Sequence, residues 1–123
     1  MNYAPMERPE ITNGATFKIK PPVIEDAIYI TVNHVTMEDG TKRPIEVFIN
    51  CKHMESAQWI TALTRLLSAS FRQPGPFPWY ALQELRETFD PKGGYFIPGQ
   101  SEMCPSIVAH IAGVIEEHCR GLN

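Results

Sequence analysis

Between Arg43 and Phe71 the pattern of hydrophobic and polar positions changes its period. In Ile45, Val47 and Ile49 the apolar residues alternate with Glu46, Phe48 and Asn50, the period of two that gives a strand two different faces. From Met54 onward they fall at Ile60, Leu63, Leu66, Leu67 and Phe71, with Trp59 beside them, which predicts one helical stripe. No Gly or Pro separates the two patterns, so the helix is expected to fold back over the sheet that holds the strand.

Upstream, Phe17 and Ile19 alternate with Lys18 and Lys20 in a short first strand over residues 16–20, ended by Pro21 and Pro22. Ala27 to Val35 is rich in β-branched residues, with Ile28, Ile30 and Val32 on one face and Tyr29, Thr31 and Asn33 on the other. Asp39-Gly40 then signals a hairpin turn, so the three strands are expected as an antiparallel meander. Residues 1–15 carry Pro5, Pro9 and Gly14 without periodicity and read as an extended lead-in, mobile unless bound, to one domain over residues 16–121.

Downstream, Pro74, Pro76 and Pro78 make a stiff elbow. A second helix is expected from Pro78 to Phe89, with Leu82, Leu85 and Phe89 in register and Gln83, Glu84 and Glu87 outward. Residues 90–99, with three glycines and two prolines, form a loop. A third helix from Pro105 carries Ile107, Val108, Ile111, Val114, Ile115 and His118 on one stripe, with His110 opposite, and Gly121 as its stop. The reading is β-β-β-α-α-α, an α+β fold with the three helices packed on one face of the meander.

At 123 residues, 43% hydrophobic and 20% charged, the composition fits one globular domain. A net charge of -3 without a basic block argues against a nucleic-acid partner. The N-terminus MNYAPMERPE lacks the features of a signal peptide and no apolar run reaches membrane length, so a cytoplasmic location and no membrane contact are expected. The three cysteines, 51, 104 and 119, are expected as reduced thiols.

Cys51, His53, Cys104, His118 and Cys119 supply soft ligands, of which Cys51, His53 and Cys104 are the candidates for zinc. No CxxC pair is present and His118 falls in an apolar stripe, so packed thiols and no bound metal are expected. Lys92, Gly93 and Gly94 could cradle an anion, but the same residues after Phe89 and Pro91 read as a helix stop, which is the expectation preferred here. Trp79 and Tyr80 after the prolines, and Tyr95 and Phe96 after the glycines, are expected to be exposed and to serve as partner contacts. No catalytic residue follows from spacing.

INCKHMESAQWITALTRLLSASFR, LQELRETFDPKGGYF and the CPSIVAHIAGVIEEH helix together resemble the TSCPD domain, the C-terminal domain of adenosylcobalamin-dependent (class II) ribonucleotide reductases. RPEITNGATFKIK and AIYITVN resemble the start of that domain, and the likeness runs from Arg8 to about His118. Of the motif that names the family only Cys104 and Pro105 stand here, with Glu102, Met103 and Ser106 in place of its Thr, Ser and Asp. The resemblance implies a link to ribonucleoside-diphosphate reduction, hence to deoxyribonucleotide synthesis. The chain opens only a few residues before the domain, so the body that holds adenosylcobalamin in the full-length enzyme is expected to be missing, with no cofactor bound by this chain. An accessory or regulatory domain that binds a larger protein, such as a reductase body, is the function expected. The alternative is an interaction protein of a phage or mobile element that reuses the domain for an unrelated partner.

Overall fold

The computed structural model describes residues 4–52 and 54–123. Strands β1 (Asn13–Ile19), β2 (Ile28–Thr36) and β3 (Lys42–Cys51) form an antiparallel sheet in the order β1-β2-β3. Helices α1 (Met54–Phe71) and α2 (Trp79–Arg86) follow, then a hairpin of β4 (Tyr95–Phe96) and β5 (Met103–Cys104), and finally α3 (Ile107–Arg120). The α+β meander with three helices is the expected architecture; the small hairpin, whose first strand lies in the glycine-rich segment, is not. At the β2–β3 turn Gly40 takes a φ of 87°, and the Asp39 carboxylate accepts from the Thr41 N–H at 2.9 Å, as an Asp-Gly turn requires.

Ile28, Ile30, Val32 and Val47 form the sheet's contribution to the core, packed against Leu67 and Phe71 of α1, Leu82 of α2 and Ile111, Ile115 and Cys119 of α3. The alternation fails at one place in β3. Asn33 lies opposite Glu46 and His34 opposite Pro44, so Ile45 is an extra residue, a bulge in the same stretch as a proline that has no N–H to pair. Glu46, expected on the outer face, is only 4% exposed. Its carboxylate accepts from Arg8 Nε at 2.8 Å and Asn33 Nδ2 at 2.7 Å. The lead-in is therefore tied down at Met6 and Arg8, since the Met6 N–H also donates to the Arg72 carbonyl at 2.7 Å. β1 begins at Asn13, within that lead-in, and Gly14 is required there because a Cβ would lie 2.5 Å from the Val32 carbonyl oxygen.

Two members of the expected α1 stripe point outward: Leu66 is 69% and Trp59 73% exposed. Ser68 faces inward instead. β3 is an edge strand, and its Val47 N–H donates to Ser68 Oγ at 2.9 Å while the Ser68 hydroxyl donates to the Val47 carbonyl at 3.1 Å. Serving those two backbone groups fixes the rotation of the helix and turns Leu66 out. α2 ends at Arg86, not Phe89, which is 80% exposed. Beyond Glu87 the chain is drawn off the helix axis by the Ser106 hydroxyl, which donates to the Thr88 carbonyl at 2.6 Å, and by the Asp90 N–H, which donates to the Pro105 carbonyl at 3.1 Å. α3 starts at Ile107, with Ser106 as its N-cap accepting from the Ala109 N–H at 3.0 Å. His110, expected to face solvent, is buried. Among the described residues no helix is long and apolar enough to cross a membrane.

Candidate functional site

The side of α3 turned away from the sheet borders a cleft of about 520 Å3, lined among others by Arg86, Met103, Cys104, His110, Glu116 and Arg120. Two networks support its wall. In the first, Tyr95 and Cys104 stand opposite one another in the hairpin register. The hairpin lies close against the segment leading to α3: a Cβ on Gly94 would come within 2.2 Å of the Cys104 carbonyl oxygen, so glycine is needed. The Tyr95 hydroxyl is 2.9 Å from His110 Nδ1, and the Cys104 thiol donates to the Ser106 carbonyl at 3.2 Å. Burial, and then the neighbouring Cys104, raise the Tyr95 phenol well above its ordinary range, while burial lowers the His110 imidazole. Both side chains are thus neutral at pH 7.

The second network centres on Glu116, whose side chain is 4% exposed. Its carboxylate accepts from Gln83 Nε2 at 2.9 Å and Arg86 Nη1 at 2.5 Å, both on α2, and from Arg120 Nη2 at 3.4 Å one helical turn further along α3. Burial pushes this carboxyl up, but the bonds from Arg86 and Gln83 and the charges of Arg86 and Arg120 outweigh it and hold it below the ordinary 4.5. Arg120 in turn lies over the Trp79 ring at 4.3 Å, and Trp79 packs edge-on against Phe77 at 4.7 Å.

The hairpin carries Cys104-Pro105, the part of the family's name motif that stands here, into a serine-capped helix, and the TSCPD domain family matches residues 1–119. The chain belongs to the TSCPD-domain family. No curated protein and no solved structure matches it. In this TSCPD domain Ser106 stands where the motif has Asp, and either side chain caps a helix N-terminus.

The partner-contact residues expected from sequence are split within each pair. Trp79 is half-buried on Arg120, whereas Tyr80 is 74% exposed. Tyr95, expected at the surface, is 7% exposed because β4 turns it onto His110; Phe96 points the other way and is 57% exposed. The anion cradle is closed on itself, since the Lys92 N–H donates to Asp90 Oδ1 at 2.9 Å and the Gly93 N–H to the Asp90 carbonyl at 2.8 Å. Nor do Lys92, Gly93 and Gly94 stop α2, which has already ended at Arg86. Cys51 packs beside the main core and Cys104 in the small cluster with Tyr95, while His53 lies outside the described residues. Among the described residues no three His, Cys, Asp or Glu side chains are grouped to hold a metal. Burial, and then Glu116, push the Cys119 thiol up to about 12, so it stays protonated.

Sequence reasoning missed Arg86, His110, Glu116 and Arg120. Only the i, i+4 spacing of Glu116 and Arg120 was a local signal. Chemically the cleft combines two half-exposed guanidiniums with a neutral imidazole that a buried phenol holds from behind. The Cys104 thiol donates to a backbone carbonyl, and His110 Nδ1 is taken up by Tyr95, so these two are not paired as nucleophile and base. The cleft also does not fit adenosylcobalamin: about 520 Å3 suits a drug-sized molecule, far smaller than a corrin with its nucleotide and adenosyl groups.

Proposed function

We propose that this TSCPD domain is an accessory or regulatory domain of ribonucleotide reduction, and that it acts by binding a larger protein, the reductase body. The family link supports the subject of the regulation. The observation that carries the binding role is the β4–β5 hairpin: Phe96 and Met103 are paired in register, each 57% exposed, and Met103 lines the polar cleft. Two large apolar side chains on a short hairpin, with Arg86 and Arg120 lining the same cleft as Met103, form an anchor with a polar surround. In this reading the radical chemistry and adenosylcobalamin belong to the partner, and the cleft's own groups orient the contact.

Titration of the full chain against the reductase body from the same cell tests this. Binding is expected, with at least a tenfold loss for Phe96→Ser/Met103→Ser, since two apolar anchors of this kind contribute more than ~1.4 kcal/mol together. Equal affinity of wild type and double variant removes the hairpin from the interface. Turnover of a ribonucleotide by the chain alone, with adenosylcobalamin and a dithiol, overturns the non-catalytic role.

A further inference from the structure

Helix α1 has a second apolar line, and none of the described residues covers it. Ile60, Leu67 and Phe71 face the core. Trp59, Ala62, Leu66 and Ala69, at spacings of three, four and three, fall on the side turned to solvent and are all exposed, Trp59 by 73% and Leu66 by 69%. A helix at a protein surface ordinarily carries charge on that side. Across its 18 residues α1 has only Glu55 and Arg65 as ionisable groups, the depletion of charge that marks an interface centre. Phe89, 80% exposed, extends the patch, since it lines with Trp59 an apolar hollow of about 290 Å3.

We propose that this face is the docking site for a second copy of the chain, α1 against α1 in an antiparallel pair whose two-fold axis passes beside Ala62. A two-fold interface must be complementary to itself. The order Trp59, Ala62, Leu66 meets that condition: antiparallel, the large Trp59 of one copy covers Leu66 of the other, and the small Ala62 lies where the helices cross and must approach closely. Arg65, the helix's one cation, is displaced from its own image by roughly 7 Å along the axis, so like charges do not meet. Covering Trp59, Leu66, Phe89 and the two alanines on both copies removes on the order of 1,000 Å2 from water, the lower end for a specific interface. The dimer is therefore reversible and depends on concentration.

Sedimentation velocity with light scattering on the full chain, from micromolar to submillimolar, decides the matter. The mass is expected to rise from 13.9 kDa toward twice that value. Leu66→Glu and Trp59→Glu, each at an exposed position, are expected to hold the chain at the monomer mass at every concentration without losing the folded far-UV spectrum. Mild oxidation of Ala62→Cys is expected to give a covalent dimer, and of Glu84→Cys on α2 none. A wild type that stays monomeric throughout overturns the proposal, as does a dimer that both glutamate variants leave intact. Because the hairpin is not part of this face, failure here leaves binding of a larger protein through Phe96 and Met103 untouched.

Discussion

Toward the sheet, α3 presents Ile111, Ile115 and Cys119, exposed by 1%, 0% and 3%. Toward α2 and the small hairpin it presents His110 and Glu116, exposed by 8% and 3% and so about as deep. The two sides are held in different ways. On the sheet side the condition is shape and apolar area, which many residues meet together. On the other side each buried polar atom needs a named partner: Tyr95 for His110, and Gln83, Arg86 and Arg120 for Glu116. Loss on the first side scales with volume, and on the second with which member of a pair is removed.

The largest effect therefore belongs to the sheet side. Ile115→Ala is expected to cost about 2–4 kcal/mol by cavity formation, a fall in Tm of roughly 10 °C. Tyr95→Phe, which removes one hydroxyl from the opposite network, is expected to cost about 1 kcal/mol. Equal shifts for the two variants in thermal unfolding would break the contrast.

The same contrast explains what could be read from the sequence. The three strands of the meander, α1 and the sheet-facing line of α3 declare themselves because apolar periodicity is local and needs no knowledge of partners. Leu66 falls on the wrong side in the sequence reading because an edge strand's free amide and carbonyl, about twenty residues upstream, engage Ser68 and decide the rotation of α1. His110 looked like a surface residue for the same reason: its partner, Tyr95, lies on a two-residue strand too short to show any period. The extent of α2 depended on bonds from Ser106 and to Pro105, both beyond any local window. Arg86 and Gln83 are ordinary outward positions of an amphipathic helix until α3 places Glu116 against them.

Within the polar network the order of effects follows from exposure. Arg86 and Arg120 are each 53% exposed, so when Glu116→Gln removes their counter-charge, water resolvates them, and a loss of about 1 kcal/mol is expected. Arg86→Ala instead leaves a carboxylate that is 4% exposed with a neutral amide and one longer contact, and about 2–3 kcal/mol is expected. Urea midpoints at pH 7 check the ranking, and a Glu116→Gln loss exceeding that of Arg86→Ala would reverse the argument. The folded-state pKa of Glu116 is lowered, so its contribution is complete above the ordinary 4.5 and is lost only as pH falls below it.

That limit isolates a smaller effect at the far end of α3. His34 on β2 and His118 on α3 are neighbours there, and among the described residues His34 Nδ1 and His118 Nε2 are buried without a partner. Burial lowers both imidazoles below the ordinary 6.5, helped by the charge of Lys42 at His34 and by His34 itself at His118. A lowered imidazole binds fewer protons folded than unfolded, so stability is complete above 6.5 and declines as pH falls through 6.5 toward the folded values. Between pH 7 and 5 the carboxylates of Glu46 and Glu116, both lowered, stay ionised and contribute no slope. Tm is therefore expected to fall across that window. His118→Phe keeps an aromatic ring against Phe17, whose centroid lies 5.1 Å away, and removes one titrating group. It is expected to flatten the slope in part, with His34 and the likewise lowered His110 carrying the remainder. A slope identical to wild type would show that His118 takes up its proton in the folded chain as readily as in the unfolded one.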